Sequence, residues 1–303
     1  MFRLLLLVMF VLVHSTDLRG QNKSKLILDC DTANEQDDLY AIIRMLNQDK
    51  FEVVALNSTQ WVHYLGAPDS LEASQRDNED MLRLSERTDI PALRGSTEPM
   101  GKPWGGSEPK DSEAAQFIIK TVRDLPDGEM IYVVCTGATT NLASAIALAP
   151  EIAPRIKLYL MGFQYEDEAG VWNKSEFNVR RDLNAADFVL NQSDLEVHIM
   201  SATLSKSYRF DRADTFRRLE SLGEIGAYFK AKWTEKYSDF DRWTMWDLAL
   251  VQAMIRPELA REHQVATPPE NTQRTVWVYH AIDVEAMTAD FWAAMDESDA
   301  KQK

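Results

Sequence analysis

The chain has 303 residues, of which 45% are hydrophobic and 27% charged, ordinary values for a globular protein and incompatible with wholesale disorder. Its 33 basic residues stand against 48 acidic ones, a net charge of −15. Such a surface repels phosphate backbones unless it carries a local basic stripe, and none occurs, which excludes nucleic-acid binding.

The N-terminus opens with Met1-Phe2-Arg3 and an unbroken apolar run from Leu4 to Val13. That run is about half of the ~20 residues needed to span a bilayer. A short apolar run behind a basic residue predicts a secretory signal peptide over residues 1–20, with cleavage after Ser15 or Gly20. The expected product is an exported protein, periplasmic or extracellular, with no stable membrane anchor. Residues 21–303 then form one α/β domain, because no repeat, low-complexity tract or long linker interrupts 25–295.

Two periodicities alternate through that domain. Lys25 to Leu28 is a short apolar strand, and Leu39 to Leu46 has helical spacing. Strand patterns recur at Phe51–Leu56, Ile90–Leu93, Met130–Cys135, Ile156–Met161 and Leu195–Met200. Helical patterns fall between them at Ser70–Glu86, Glu113–Leu125 and Leu142–Leu148. Short apolar strands separated by helices predict a doubly wound, open, mostly parallel sheet with helices on both faces. The C-terminal third, Ala213 to Met254, reads as mostly helical, with one late strand at Thr275–Tyr279. Cys30 and Cys135 each end an apolar run and read as small buried hydrophobes rather than as a disulfide framework.

Functional loops of such a sheet lie at the carboxyl ends of its strands. The loop after the first strand holds five carboxylates in ten residues, Asp29, Asp31, Glu35, Asp37 and Asp38. Their mutual repulsion calls for a cation, and oxygen ligands suit Ca²⁺ or Mg²⁺. Helix capping accounts for Asp37 and Asp38 but not for Asp29 and Asp31. An EF-hand starting at Asp29 requires Gly and Glu where Asn34 and Tyr40 stand. A haloacid-dehalogenase-type phosphatase loop resembles Asp-x-Asp-x-Thr, and Ala33 occupies the hydroxyl position.

The loop more closely resembles that of the nucleoside hydrolase family, the calcium-dependent ribohydrolases of inosine/uridine-preferring type, whose first strand ends in Asp-x-Asp-x-x-x-Asp-Asp. Here Asp31 and Asp37 stand two residues farther apart. Further matches follow in order: Gly137 to Ala143 resembles the family's Gly-x-x-Thr-Asn segment, and Met161-Gly162 its Met-Gly. Glu176-Phe177-Asn178 matches a family tripeptide, Asp182 to Ala186 an Asp-x-x-Ala-Ala segment, and Trp246-Asp247 the aromatic or histidine before the last metal-binding Asp. The resemblance covers roughly residues 25–259.

The resemblance implies a Ca²⁺ held by Asp31, Asp38, Asp247 and the backbone carbonyl of Thr140, with Asp31 as general base toward water. It implies sugar-hydroxyl contacts from Asp37, Asn173, Glu176, Asn178 and Asp247, although Asn173 lies three residues before Glu176 rather than six. Many members place His where Trp246 stands. The purine-specific branch has Trp there and stacks the leaving base between indoles, with Trp104 as the expected second indole and Trp61 as its alternate. The implied activity is hydrolysis of the N-glycosidic bond of ribonucleosides, purines preferred, to free base and ribose. Two competing readings are a Ca²⁺-dependent ribose- or nucleoside-binding protein with weak or no catalysis, and a Mg²⁺-dependent phosphatase using Asp29 or Asp31 as nucleophile. The expected partner is a small nucleoside; homo-oligomerisation is left open.

Overall fold

The computed structural model describes residues 23–63 and 69–302; the apolar N-terminal segment lies outside the described residues. The chain runs through β1 (Ser24–Cys30), α1 (Asp37–Leu46), β2 (Phe51–Ser58), α2 (Ser70–Leu84), β3 (Ala92–Arg94), α3 (Glu113–Arg123), β4 (Ile131–Cys135), α4 (Thr140–Leu148) and β5 (Ile156–Met161). A hairpin of β6 (Gln164–Glu166) and β7 (Val171–Asn173) leads into α5 (Phe177–Arg181), α6 (Leu183–Leu190) and β8 (Glu196–Met200). Then come α7 (Ala202–Ser205), β9 (Arg209–Asp211), α8 (Arg212–Leu219), α9 (Gly223–Tyr237) and β10 (Arg242–Thr244), β9 and β10 pairing as a small ribbon. The chain closes with α10 (Trp246–Ile255), β11 (Ala260–Ala266), β12 (Thr275–Ile282) and α11 (Val284–Gln302).

Among the described residues the main sheet has eight strands in the order β11-β12-β8-β5-β4-β1-β2-β3. All its neighbours pair parallel except β11 with β12. This is the doubly wound sheet expected from the sequence, with one antiparallel edge. Strand side chains alternate between faces, and the two apolar cores follow that alternation. Leu26, Leu28, Cys30 and Val134 pack on one face with α1, α10 and α11. Ile27, Val133 and Cys135 pack on the other with α3, α4 and α6. Cys30 and Cys135 therefore sit on opposite sides of the sheet, and both are free, buried thiols.

All ten residues of α1 are buried, as are nine of the ten in α10, from Asp247 to Ile255. These two helices pack together beneath the sheet, and both begin at its carboxyl edge. Their N-terminal ends carry partial positive charge, which matters because three of the predicted carboxylates lie in their first turns. No helix among the described residues is long and apolar enough to cross a membrane.

Several elements departed from the sequence pattern. β11 is an edge strand of sequence AREHQVA with half-exposed and exposed residues throughout, so it lacks the apolar signature of the central strands. The β6–β7 hairpin and the β9–β10 ribbon consist of three-residue strands, too short for a period of two to register.

Candidate active site

The first strand delivers the acidic loop to the carboxyl edge, and the fold then closes carboxylates from three directions around one pocket. Asp31 comes from the β1–α1 loop, Asp37 and Asp38 from the first turn of α1, and Asp247 from the first turn of α10. The cavity, about 290 Å³, is also lined by Asn34, Glu35, Thr136, Met161, Gln164, Ser175, Glu176, Phe177, Asn178, Arg180, Ala202 and Trp246. Its size lies near the lower end for small-molecule sites.

The loops fit tightly beneath it. A Cβ at Gly137 would stand 2.5 Å from Thr59 Cγ2 and 2.9 Å from Asp31 Cβ. Only glycine lets the β4–α4 loop approach Asp31 this closely. Asn141 donates to Asp29 Oδ1 at 2.8 Å and to the Ser58 carbonyl at 3.1 Å, so Asn141 ties α4 to the ends of β1 and β2 below the pocket, and Asp29 is not part of its wall. Burial pushes the Asp29 carboxyl up to about 7, opposed by the hydrogen bonds it accepts.

The carboxylates have few partners. Thr136 Oγ1 donates to Asp38 Oδ1 at 2.7 Å, and the Asp247 backbone N–H donates to Asp37 Oδ2 at 3.1 Å. Asp31 Oδ2 and Asp37 Oδ1 are buried with no hydrogen-bond partner. Burial, then the neighbouring Asp37 charge, pushes Asp31 up to about 8. Burial and the surrounding aspartates likewise raise Asp38 and Asp247 far above the usual carboxylate range. Burial raises Asp37 as well, against the hydrogen bonds it accepts from Asp247. Buried acceptors without donors are costly, and an all-oxygen set of this density is the environment of a hard divalent cation. The residues present fit such an ion.

The longer loop has its own anchor. Lys236, on α9, donates from Nζ to the Ala33 carbonyl at 2.6 Å and also to the Asn34 carbonyl. The Tyr237 hydroxyl donates to the same Asn34 carbonyl. These contacts hold the extra residues so that Glu35 reaches the pocket wall, where burial and then the Asp37 and Asp31 charges push it up to about 8. Lys236→Met removes the ammonium donors while keeping the stem, and it is expected to raise KM severalfold with little change in Tm. Steady-state kinetics beside a melting curve checks this; an unchanged KM would show that the loop holds its shape unaided.

Of the residues singled out from sequence, Asp31, Asp37, Asp38, Glu176, Asn178, Trp246 and Asp247 are brought together on the wall. Glu176 also caps α5, its two oxygens accepting from the Asn178 and Val179 N–H groups at 3.0 Å each. Asn178 Nδ2 donates to the carbonyls of Thr136 at 2.7 Å and Met161 at 3.2 Å, pinning the ends of two strands.

Four expected residues, the alternate Trp61 included, lie elsewhere. Thr140 is the first residue of α4; its hydroxyl donates to Asp182 Oδ2 at 2.7 Å, and helical carbonyls point toward the helix C-terminus, away from the strand ends. The residue of that loop on the pocket wall is Thr136, directly after β4. Asn173 is exposed, its Oδ1 accepting from the Ser175 N–H at 2.7 Å. Trp104 is 84% exposed on a separate loop, beside Lys102. Trp61 is buried, its Nε1 donating to Ser74. Among the described residues the aromatics on the wall are Trp246 and Phe177. The signal that reveals Thr136 is positional, a hydroxyl immediately after a central apolar strand.

An open sheet that gathers acidic side chains at its carboxyl edge, around a cavity sized for a small molecule, has the arrangement of a metal-assisted hydrolase. Comparison with known proteins narrows that class. A family model described as inosine-uridine preferring nucleoside hydrolase matches residues 26–300, and the chain belongs to this family of enzymes that hydrolyse N-glycosyl compounds. It is 24% identical over 263 residues to the pyrimidine-specific ribonucleoside hydrolase RihA of Escherichia coli O139:H28 (strain E24377A / ETEC), covering 77% of this chain and 80% of that protein. Among solved structures, an inosine-guanosine nucleoside hydrolase superposes with a TM-score of 0.72 at 19% identity, over 90% of this chain and 98% of the other. A purine-preferring ribonucleoside hydrolase from Gardnerella vaginalis superposes with a TM-score of 0.69 at 20% identity, over 91% and 99%. Those two likenesses establish the shared fold.

Proposed function

We propose that this enzyme is an exported, Ca²⁺-dependent ribonucleoside hydrolase that prefers purine nucleosides. The observation that carries the reading is the set of four aspartates converging on one pocket with Asp31 Oδ2 and Asp37 Oδ1 unpartnered. Asp31, Asp38 and Asp247, with Thr136 in the adjoining loop, would hold the ion; bound there, Ca²⁺ supplies positive charge that ionises the aspartates, orients sugar hydroxyls and acidifies water. Asp31 is placed to take a proton at Oδ2 as the water oxygen bonds to the anomeric carbon and the bond to the base nitrogen breaks. Glu176 and Asn178 flank the sugar, and the Glu176 carboxylate favours the positive charge that develops on it.

The departing base must gain a proton. The wall carries no histidine at position 246, and Trp246 with Phe177 supplies an apolar aromatic surface on which a purine stacks. The similar proteins named above include one described as pyrimidine-specific and others as preferring purines or inosine and guanosine, so the preference rests on Trp246. Export rests on the apolar run Leu4–Val13 behind Arg3.

The test follows inosine, guanosine and uridine by chromatography, with Ca²⁺ and with a chelator. Chelator-sensitive release of free base, faster for the two purines, is the expected result. Absence of release, with Ca²⁺ and ribose together still raising Tm, would replace the enzyme with a binding protein. Trp246→Ala is expected to lower kcat for inosine more than for a nitrophenyl riboside, whose leaving group needs no proton. Equal losses on both substrates would reduce Trp246 to packing.

A further inference from the structure

At the antiparallel edge of the sheet, far along the fold from the β1–α1 loop, a second group of ligand-type side chains converges. His263 lies on β11 and His280 on β12. The pairing of these strands shifts between Arg261 and Glu262: Arg261 faces Ala281 while Glu262 faces Tyr279. His280 is the residue that this bulge leaves over. A bulge re-aims a side chain, and here it turns the His280 ring onto that of His263, with centroids 4.6 Å apart and planes inclined by 14°. The third member, Asp167, comes from the turn of the β6–β7 hairpin. One carboxylate oxygen and one ring nitrogen from each histidine lie within 4.8 Å of one another.

The contact between Asp167 and His263 has an instructive shape. Asp167 Oδ1 stands 2.8 Å from His263 Nε2, yet that nitrogen has no partner meeting hydrogen-bond geometry. In a hydrogen bond the acceptor sits on the N–H axis. Two ligands of one metal instead sit side by side with their lone pairs aimed at a third point, roughly 3.3 Å apart for tetrahedral bonds of about 2.0–2.1 Å. The off-axis approach fits the second arrangement. Because imidazole lone pairs lie in the ring planes, aiming both at one point also asks for a turn of one stacked ring about χ2 beside a movement of about an ångström, and the broad χ2 of histidine supplies it.

We propose that Asp167, His263 and His280 form a second metal site, for an imidazole-preferring divalent d-block cation such as Zn²⁺, which clamps the β6–β7 hairpin onto the sheet edge. The donor set decides the metal. Two imidazoles and one carboxylate select Zn²⁺, Ni²⁺ or Cu²⁺ over Ca²⁺ and Mg²⁺, whereas the aspartate pocket offers oxygen alone. Three protein ligands leave a fourth position to water. The clamp has something to hold: β6 begins at Gln164 and β7 is followed by Ser175 and Glu176, all on the active-site wall. Besides the Asp167–His263 contact, the hairpin meets β11 where Trp172 Nε1 donates to the Ala266 carbonyl at 3.0 Å. A metal at its turn adds a second fixed point on the same strand.

The experiment titrates the purified protein, saturated with Ca²⁺ to fill the aspartate pocket, with Zn²⁺ by calorimetry and with Co²⁺ by visible absorption. One equivalent of Zn²⁺ is expected to bind, and Co²⁺ to give ligand-field bands. His280→Ala and Asp167→Asn are each expected to weaken binding about tenfold or more, and the double variant His263→Ala with His280→Ala to abolish it. Melting in metal-free buffer confirms that each variant folds; Asp167, in an exposed turn, provides the variant least able to disturb folding. Amide exchange at residues 166–171 is expected to slow when Zn²⁺ is added to the wild type and to stay unchanged in the variants. No Zn²⁺ binding, or binding that survives in the double histidine variant, would overturn the site. Binding without slowed exchange would overturn the clamp.

Discussion

Asp31→Asn is expected to lower kcat for nucleoside hydrolysis by about 10²–10⁴-fold, the usual worth of a positioned general base. The substitution keeps the volume of a fully buried side chain that abuts Gly137, so no cavity opens. It also removes one of four mutually repelling carboxylates. Metal-free Tm should therefore hold steady or rise while activity collapses, a combination that separates chemistry from folding. Because the base acts on water and not on the leaving group, the loss should be equally deep with inosine and with a nitrophenyl riboside. This contrasts with Trp246→Ala, where only the poor leaving group suffers. Substantial activity in Asp31→Asn on either substrate would move the base elsewhere, with Glu35 the next carboxylate to replace.

Metal removal should produce the largest change in stability, and its sign with pH follows from the raised carboxyls. An aspartate in the unfolded chain titrates near 3.9 and a glutamate near 4.3. In the folded, metal-free protein Asp31 and Glu35 are pushed up to about 8 and Asp29 to about 7. Between about pH 4 and pH 8 the folded form thus keeps protons that the unfolded form has released, and raising the pH favours unfolding. Over the range pH 5 to 8.5 metal-free Tm is expected to be highest at the acid end and to fall steadily toward pH 8. A divalent cation reverses the preference by stabilising the ionised aspartates. With Ca²⁺ a thousandfold above its Kd, Tm near pH 8 should rise by about 10 °C, and the slope with pH should flatten. Scanning calorimetry from pH 5 to 8.5, with Ca²⁺ and with chelator, measures both effects. A metal-free Tm that climbs with pH would mean that the aspartates are compensated by cationic side chains rather than by an ion.

The central strands were legible because burial on both faces leaves an unambiguous mark. β4 and β5 are short apolar runs flanked by polar loops, and β5 spans Ile156–Met161, the full extent of its apolar run. The acidic loop was legible for the opposite reason: carboxylates so close in sequence stay close in any fold, and their repulsion demands compensation. The edge strand β11, with its charged and exposed residues, carried neither mark. Its neighbour β12 was seen because Val276 and Val278 are buried.

Local chemistry along the chain determined the parallel sheet and the carboxylate cluster of Asp31, Asp37 and Asp38, since each depends on residues near a strong apolar element, whereas Trp246 and Asp247 were singled out by the family resemblance and brought to Asp37 by the packing of α10 on α1. What the tertiary structure decided are contacts across long sequence separations: Thr136 in place of Thr140 on the wall, Trp104 left in solvent, Asn173 turned outward, and Lys236 reaching back to the Ala33 carbonyl. An exposed tryptophan and a wall tryptophan look alike in sequence, and a helix-start threonine looks like a loop ligand. Only the packing of one element on another fixes where a side chain points, because direction is a property of the backbone frame, and that frame is set by the two cores rather than by the residue itself.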